Sequence, residues 1–166
     1  LSDTLNTILV IGLGNPILTD DGIGWRVAQG IRQWLAENPP TLAAVQVIEA
    51  SVGGLTLAEM MIGFRRAVII DAILTGGIPG SVYHFKLSVL PPTLNTSSAH
   101  DTTLSTALNT LRHYDVVLPE DDAIDIIAIE ACDVLTFSDQ CTPTVQKSIP
   151  TAVQAVVRLL KQFSAF

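Results

Sequence analysis

The chain has 166 residues, 48% of them hydrophobic and 15% charged, which describes a folded globular protein and not a disordered one. Nine Lys and Arg stand against sixteen Asp and Glu, a net charge of -7. That balance argues against a nucleic-acid or anionic-membrane surface, because phosphate contacts need clustered basic side chains. Cys132 and Cys141 form no CxxC pair, so neither a disulfide scaffold nor a structural zinc site is expected. No signal peptide is visible, and no apolar run reaches the roughly 18 residues of a membrane span. The expectation is a cytoplasmic monomer with one domain over residues 1–166.

Thr7–Gly12 is a continuous apolar run ending in glycine, as a strand buried on both faces requires. After it, Ile23, Val27, Ile31 and Leu35 recur every four residues, an amphipathic helix stopped by Asn38-Pro39-Pro40. Val45–Glu49 reads as a second strand and Leu55–Ile62 as a short helix closed by Gly63. Arg66–Ile73 is a third buried strand, and Gly80–Leu87 alternates like an antiparallel edge strand. Leu90–Ala99 is a polar loop, Leu104, Ala107, Leu108 and Leu111 mark a helical face, and Ala123–Glu130 is the last strand. Thr142-Pro143 should cap and open a long C-terminal helix that Pro150 kinks or divides. Strands alternating with helices predict an α/β three-layer sandwich: a mostly parallel, five-stranded twisted sheet with helices on both faces.

In such sheets ligands sit beyond the carboxyl ends of the strands. Asp20 and Asp21 follow the first strand, Glu49, Asp71 and Glu130 end others, and His100 precedes the third helix. A dinucleotide turn would need a third glycine where Ile17 stands, and no Gly-Lys-Ser/Thr is present. Gly12, Gly14 and Asn15 therefore read as a tight turn that lets backbone approach a ligand. Asp20 reads as a charge at a helix N-terminus. Asp71, flanked by Val68-Ile69-Ile70 and Ala72-Ile73, should be buried, and a buried carboxylate needs a cation or several hydrogen bonds. Asp21, Asp71 and His100 make a two-carboxylate, one-imidazole set that suits a divalent transition metal. His84 and His113 read as structural, and Trp25 and Trp34 as packing or interface residues.

The stretch "ILVIGLGNPILTDDGIGWRVAQGI", with "VIIDAI", "SSAHDTTL" and "TPTV" after it, resembles the endopeptidases that mature the large subunit of [NiFe] hydrogenases. The resemblance runs over nearly the whole chain. It implies an endopeptidase that removes the C-terminal extension of a nickel-loaded [NiFe]-hydrogenase large-subunit precursor. Nickel, carried by the substrate, would be held by Asp21, Asp71 and His100, with other divalent metals able to substitute in vitro. On this reading the turn is acidic because it faces a cation, and Asp20 supports the turn or the helix terminus. One departure stands out. Where the family has Asp-Gly/Cys/Phe-Gly-Thr, associated with substrate recognition, this chain has Glu49, Ala50, Ser51, Val52, Gly53 and Gly54. The opening "GLGNP" is also similar to bacterial peptidyl-tRNA hydrolases, but their Thr-Arg-His-Asn is missing and no histidine precedes His84. A non-catalytic metal- or peptide-binding module on the same fold is the other alternative.

Overall fold

A computed structural model describes residues 7–39, 44–90 and 100–163, with the backbone alone for 100–103. In chain order the elements are β1 (Thr7–Leu13), a 3-10 turn (Thr19–Gly22), α1 (Ile23–Glu37), β2 (Ala44–Ala50) and α2 (Gly54–Met60). They continue as β3 (Arg66–Ile73), β4 (Val82–Lys86), α3 (His100–Leu111), β5 (Ile124–Glu130), α4 (Pro143–Gln146) and α5 (Ile149–Phe163). The strands form one sheet in the order β2-β1-β3-β5-β4. All neighbours are parallel except β4, which lies antiparallel to β5 at the edge, as its alternation predicts.

Strand alternation divides the core in two. Ile8, Val10, Val68, Ile70, Ile127 and Ile129 meet Ile23, Val27 and Ile31 of α1 and Val156, Leu159 and Leu160 of α5. The alternate residues, Leu9, Ile11, Ala67, Ile69, Ile126 and Ala128, meet Leu57 and Ala58 of α2 and Leu104 and Leu108 of α3. Both faces are covered, which is why these strands are apolar throughout. Among the described residues no helix is long and apolar enough to cross a membrane.

Two glycines set how closely α1 lies on the sheet. A Cβ on Gly24 would fall 2.2 Å from the Leu13 carbonyl oxygen and 2.5 Å from that of Ile70. A Cβ on Gly12 would fall 2.3 Å from the Gly24 carbonyl oxygen. At Gly14, with φ of 122°, the Asp21 carbonyl oxygen would lie 1.8 Å away. The glycines that sequence reading assigned to a ligand therefore admit the chain's own backbone.

At the C-terminal helix one expectation changes and one holds. Thr142 does sit before α4 with Pro143 in the first helical position, but its side chain caps nothing. The hydroxyl is turned instead to the buried Asp20 carboxylate, to which it donates at 2.9 Å in a charge-assisted bond. The C-terminal helix is divided, α4 ending at Gln146 and α5 starting at Ile149 with Pro150 in its first turn, where a missing N–H costs nothing. The loop 91–99 lies outside the described residues, and His100 is the first residue of α3.

Gly24→Ala should cost about 3 kcal/mol or more, because backbone of β1 and β3 must move. Gly30→Ala meets only the Val153 side chain and should stay within about 1 kcal/mol of the parent, helix propensity offsetting the crowding. Urea unfolding of the two variants separates these outcomes.

Candidate functional site

The loops after β1, β3 and β5 leave the same edge of the sheet, since those strands are parallel. The first of them carries Asp20 and Asp21 on one 3-10 turn, and their side chains have opposite fates. Asp20 is fully buried. Its Oδ2 accepts the Cys132 and Asp133 amides and the Thr142 hydroxyl, each at 2.9 Å, and Oδ1 accepts the Thr142 amide at 2.7 Å. The Asp20 amide donates to the Asp133 carbonyl at 2.9 Å. Asp20 thus joins the turn after β1 to both ends of the loop after β5. It is not a charge at the α1 terminus, for α1 begins at Ile23 with Gly22 as its cap. The bonds that make Asp20 structural come from partners more than a hundred residues away, which no local pattern shows.

Asp21 is half-buried, and its Oδ2 accepts the Asn15 amide at 2.7 Å. The Gly14 carbonyl accepts the Ser51 hydroxyl at 2.7 Å, and the Gly14 amide donates to the Ala50 carbonyl at 3.1 Å. The Trp25 indole also donates to that carbonyl, at 3.3 Å. Gly14, Asn15, Ala50, Ser51 and Asp21 therefore form one hydrogen-bonded neighbourhood. Glu49 is elsewhere. It pairs with Arg32 of α1 through both carboxylate oxygens, on the α1 face of the sheet.

Asp71 lies one residue past the Gly12–Ile70 pair, opposite Ala128 of β5. It is half-buried, not enclosed, and its Oδ1 accepts the Ala72 amide at 2.9 Å. It alternates with Ala67 and Ile69, which places it on the face covered by α3. Arg112, just past the end of α3, donates to the Pro119 carbonyl and to Asp121, each at 2.7 Å, on the segment entering β5. The helix accordingly starts, at His100, toward the edge where Asp21 and Asp71 lie. The His100 side chain is outside the described residues. Among those residues no group of three or more His, Cys, Asp or Glu is arranged to hold a metal ion.

The remaining polar candidates are structurally satisfied. Glu130, fully buried, accepts the Thr75 amide and hydroxyl at 2.7 Å and the Gly77 amide at 3.1 Å. Burial alone would raise its pKa, but these bonds and one from Gly76 outweigh it and hold the carboxyl below its ordinary 4.5. His84 Nε2 lies 2.7 Å from Oδ1 of the buried Asp125, whose Oδ2 accepts Lys86 Nζ at 2.9 Å, so His84 is structural as expected. His113 Nδ1 lies 2.7 Å from the Asn109 carbonyl. Trp34 packs under Lys161, 5.7 Å from ring centre to Nζ. Burial pushes the Cys141 thiol up, away from the thiolate a nucleophile needs.

A family model described as hydrogenase maturation protease matches residues 26–159. The hydrogenase 2 maturation protease of Escherichia coli is 26% identical over 158 residues, covering 93% of this chain and 91% of that protein. The hydrogenase expression/formation protein HupD of Rhizobium leguminosarum is 26% identical over 163 residues, covering 94% and 75%. Among solved structures, the hydrogenase maturating endopeptidase HybD of E. coli superposes with a TM-score of 0.75 at 27% identity, covering 94% and 93% of the two chains. The HybD of Thermococcus kodakarensis gives 0.65 at 28% identity, covering 92% and 98%.

Asp20→Asn should lose about 3 kcal/mol of stability, since an amide nitrogen would face backbone donors in a dry site. Glu130→Gln should behave differently with pH. Because the folded pKa lies below 4.5, the carboxylate stabilises the fold above that value and the gain is lost as pH falls through the folded pKa. Urea midpoints of parent and Glu130→Gln should differ at pH 7 and converge as pH falls below 4.5 and through the folded pKa.

Proposed function

The chain belongs to the hydrogenase maturation protease family, and on that premise we propose that it removes the C-terminal extension from a nickel-loaded [NiFe]-hydrogenase large-subunit precursor. The observation that carries this reading is the family match over residues 26–159, joined to a shared fold over nearly the full length of an endopeptidase. Neither the peptidyl-tRNA hydrolase nor the non-catalytic module is favoured by it.

Nickel enters as part of the substrate. Asp21 and Asp71 would supply the negative charge and His100 the nitrogen, a donor set that suits a borderline divalent ion. The support is positional: Asp21 follows β1, Asp71 lies near the carboxyl end of the adjacent parallel β3, and the backbone of α3 starts at His100 toward the same edge. One amide on Asp21 Oδ2 leaves that carboxylate acceptor capacity for a cation. Held by these residues, the metal would supply Lewis acidity beside the scissile peptide, for its carbonyl or for a water. In this mechanism nickel reports that the precursor is loaded and ready to be cut. The turn from Glu49 to Gly54 would help select the precursor, Ser51 being bonded to the turn that bears Asp21. The protein acts, in this reading, as a cytoplasmic single-domain monomer.

The test mixes each variant with nickel-loaded and nickel-free precursor and follows loss of the extension by mass spectrometry. Asp21→Asn, Asp71→Asn and His100→Ala should each abolish processing while circular dichroism stays that of the parent. Asn keeps the shape of Asp without its charge, and Ala removes the imidazole nitrogen. His113→Ala, on the far end of α3, should process normally. Equal cleavage of nickel-free precursor, or full activity of His100→Ala, would remove the metal from the mechanism.

A further inference from the structure

Several large apolar side chains stand in solvent on the loops around Asp21 and Asp71. Leu135 is 81% exposed, Ile78 78%, Phe137 77%, Ile17 56% and Leu74 46%. All five lie on residues 14–22, 74–81 and 131–142, the segments that leave the carboxyl ends of β1, β3 and β5. Single exposed apolar residues are ordinary, but a concentration of them around one edge of a sheet marks a contact surface.

Their exposure is held in place by bonding. Leu18 and Phe137 form an antiparallel bridge. The Ser138 amide donates to the Ile17 carbonyl at 3.1 Å and the Thr19 amide to the Thr136 carbonyl at 3.0 Å. Asp133 accepts the Leu135 and Thr136 amides at 2.9 Å, and these bonds, with one from the Thr136 hydroxyl, keep its carboxyl below the usual range. Asp20 then fastens both ends of this segment through Cys132, Asp133 and Thr142. A fold seeking only stability would turn Phe137 and Leu135 inward. Here a buried charge and a ribbon of backbone bonds hold them outward.

We propose that Ile17, Leu74, Ile78, Leu135 and Phe137 form the docking surface for the precursor polypeptide, seating an apolar segment of it beside Asp21. The proposal rests on the protease reading above and names the surface that reading lacks. Two features identify the occupant. The surface is continuous with the candidate site, since Asp20 anchors the ribbon and Asp21 is the next residue of the same turn. Its charge is one-sided: with Asp20 buried, the three loop segments still carry Asp21, Asp133 and Asp139 and no Lys or Arg, and Arg26 of α1 is turned onto the Asp139 carbonyl. The matching segment is therefore apolar with basic neighbours, and binding should weaken as salt rises.

The test uses the full chain and a large-subunit precursor that retains its C-terminal extension. Leu135→Ser with Phe137→Ser should raise KM about tenfold and leave kcat within about twofold, the pattern of lost uniform binding at a contact hot spot. The melting temperature should not fall, because neither side chain is packed. Val89→Ser and Val117→Ser, exposed at the opposite edge of the sheet, should match the parent. An unchanged KM in the double variant overturns the docking surface and leaves the protease reading intact. Parent protein that binds the precursor in biolayer interferometry without cleaving it, with binding lost in the double variant, keeps the surface and overturns the protease reading. A parent that sediments as a dimer, with the double variant monomeric, gives the surface to a second copy and overturns the proposal.

Discussion

A buried negative charge organises the functional edge of this protein. The Asp20 carboxylate is met by three backbone amides and a hydroxyl, drawn from both ends of one loop. Such an arrangement tolerates little compromise. An ion in a dry site stabilises the fold while every donor is present, and opposes it when one is lost. The turn after β1 and the loop after β5 are separate in sequence, yet this one side chain makes them a unit. The half-buried Asp21 sits on that unit, and so inherits a fixed backbone without being buried itself.

The glycines complete the constraint from the opposite side. α1 lies against β1 and β3 at a distance that only glycine allows. Residues 14–22 join the strand to the helix, and this loop carries Asp20 and Asp21.

Most of the architecture was legible in the sequence because it rests on local pattern. Runs such as TILVIG and RAVIIDAI declare strands buried on both faces, and the four-residue recurrence from Ile23 declares α1. The alternation in Gly80–Leu87 correctly foretold an antiparallel edge. What could not be read were the pairings between distant residues. Asp20 and Asp21 look alike side by side, and only the arrival of residues 132–142 tells which is structural. Thr142 has the composition of a helix cap, but a carboxylate from another loop outcompetes the helix for its hydroxyl. Glu49 and Asp71 both lie near strand ends, yet strand parity turns Glu49 to α1 and Asp71 to the side of α3.

The order of strands in the sheet has a temporal meaning as well. β5 is the last strand along the chain, but it lies inside the sheet, between β3 and β4. When β4 leaves the ribosome its neighbour does not yet exist, and Asp20 has waited more than a hundred residues for its donors. A nascent chain can pair β1 with β2 and β3 early, since those contacts are comparatively local. The edge bearing Asp21 assembles only once residues up to Thr142 have been made. Synthesis therefore fixes this edge after the strands that support it.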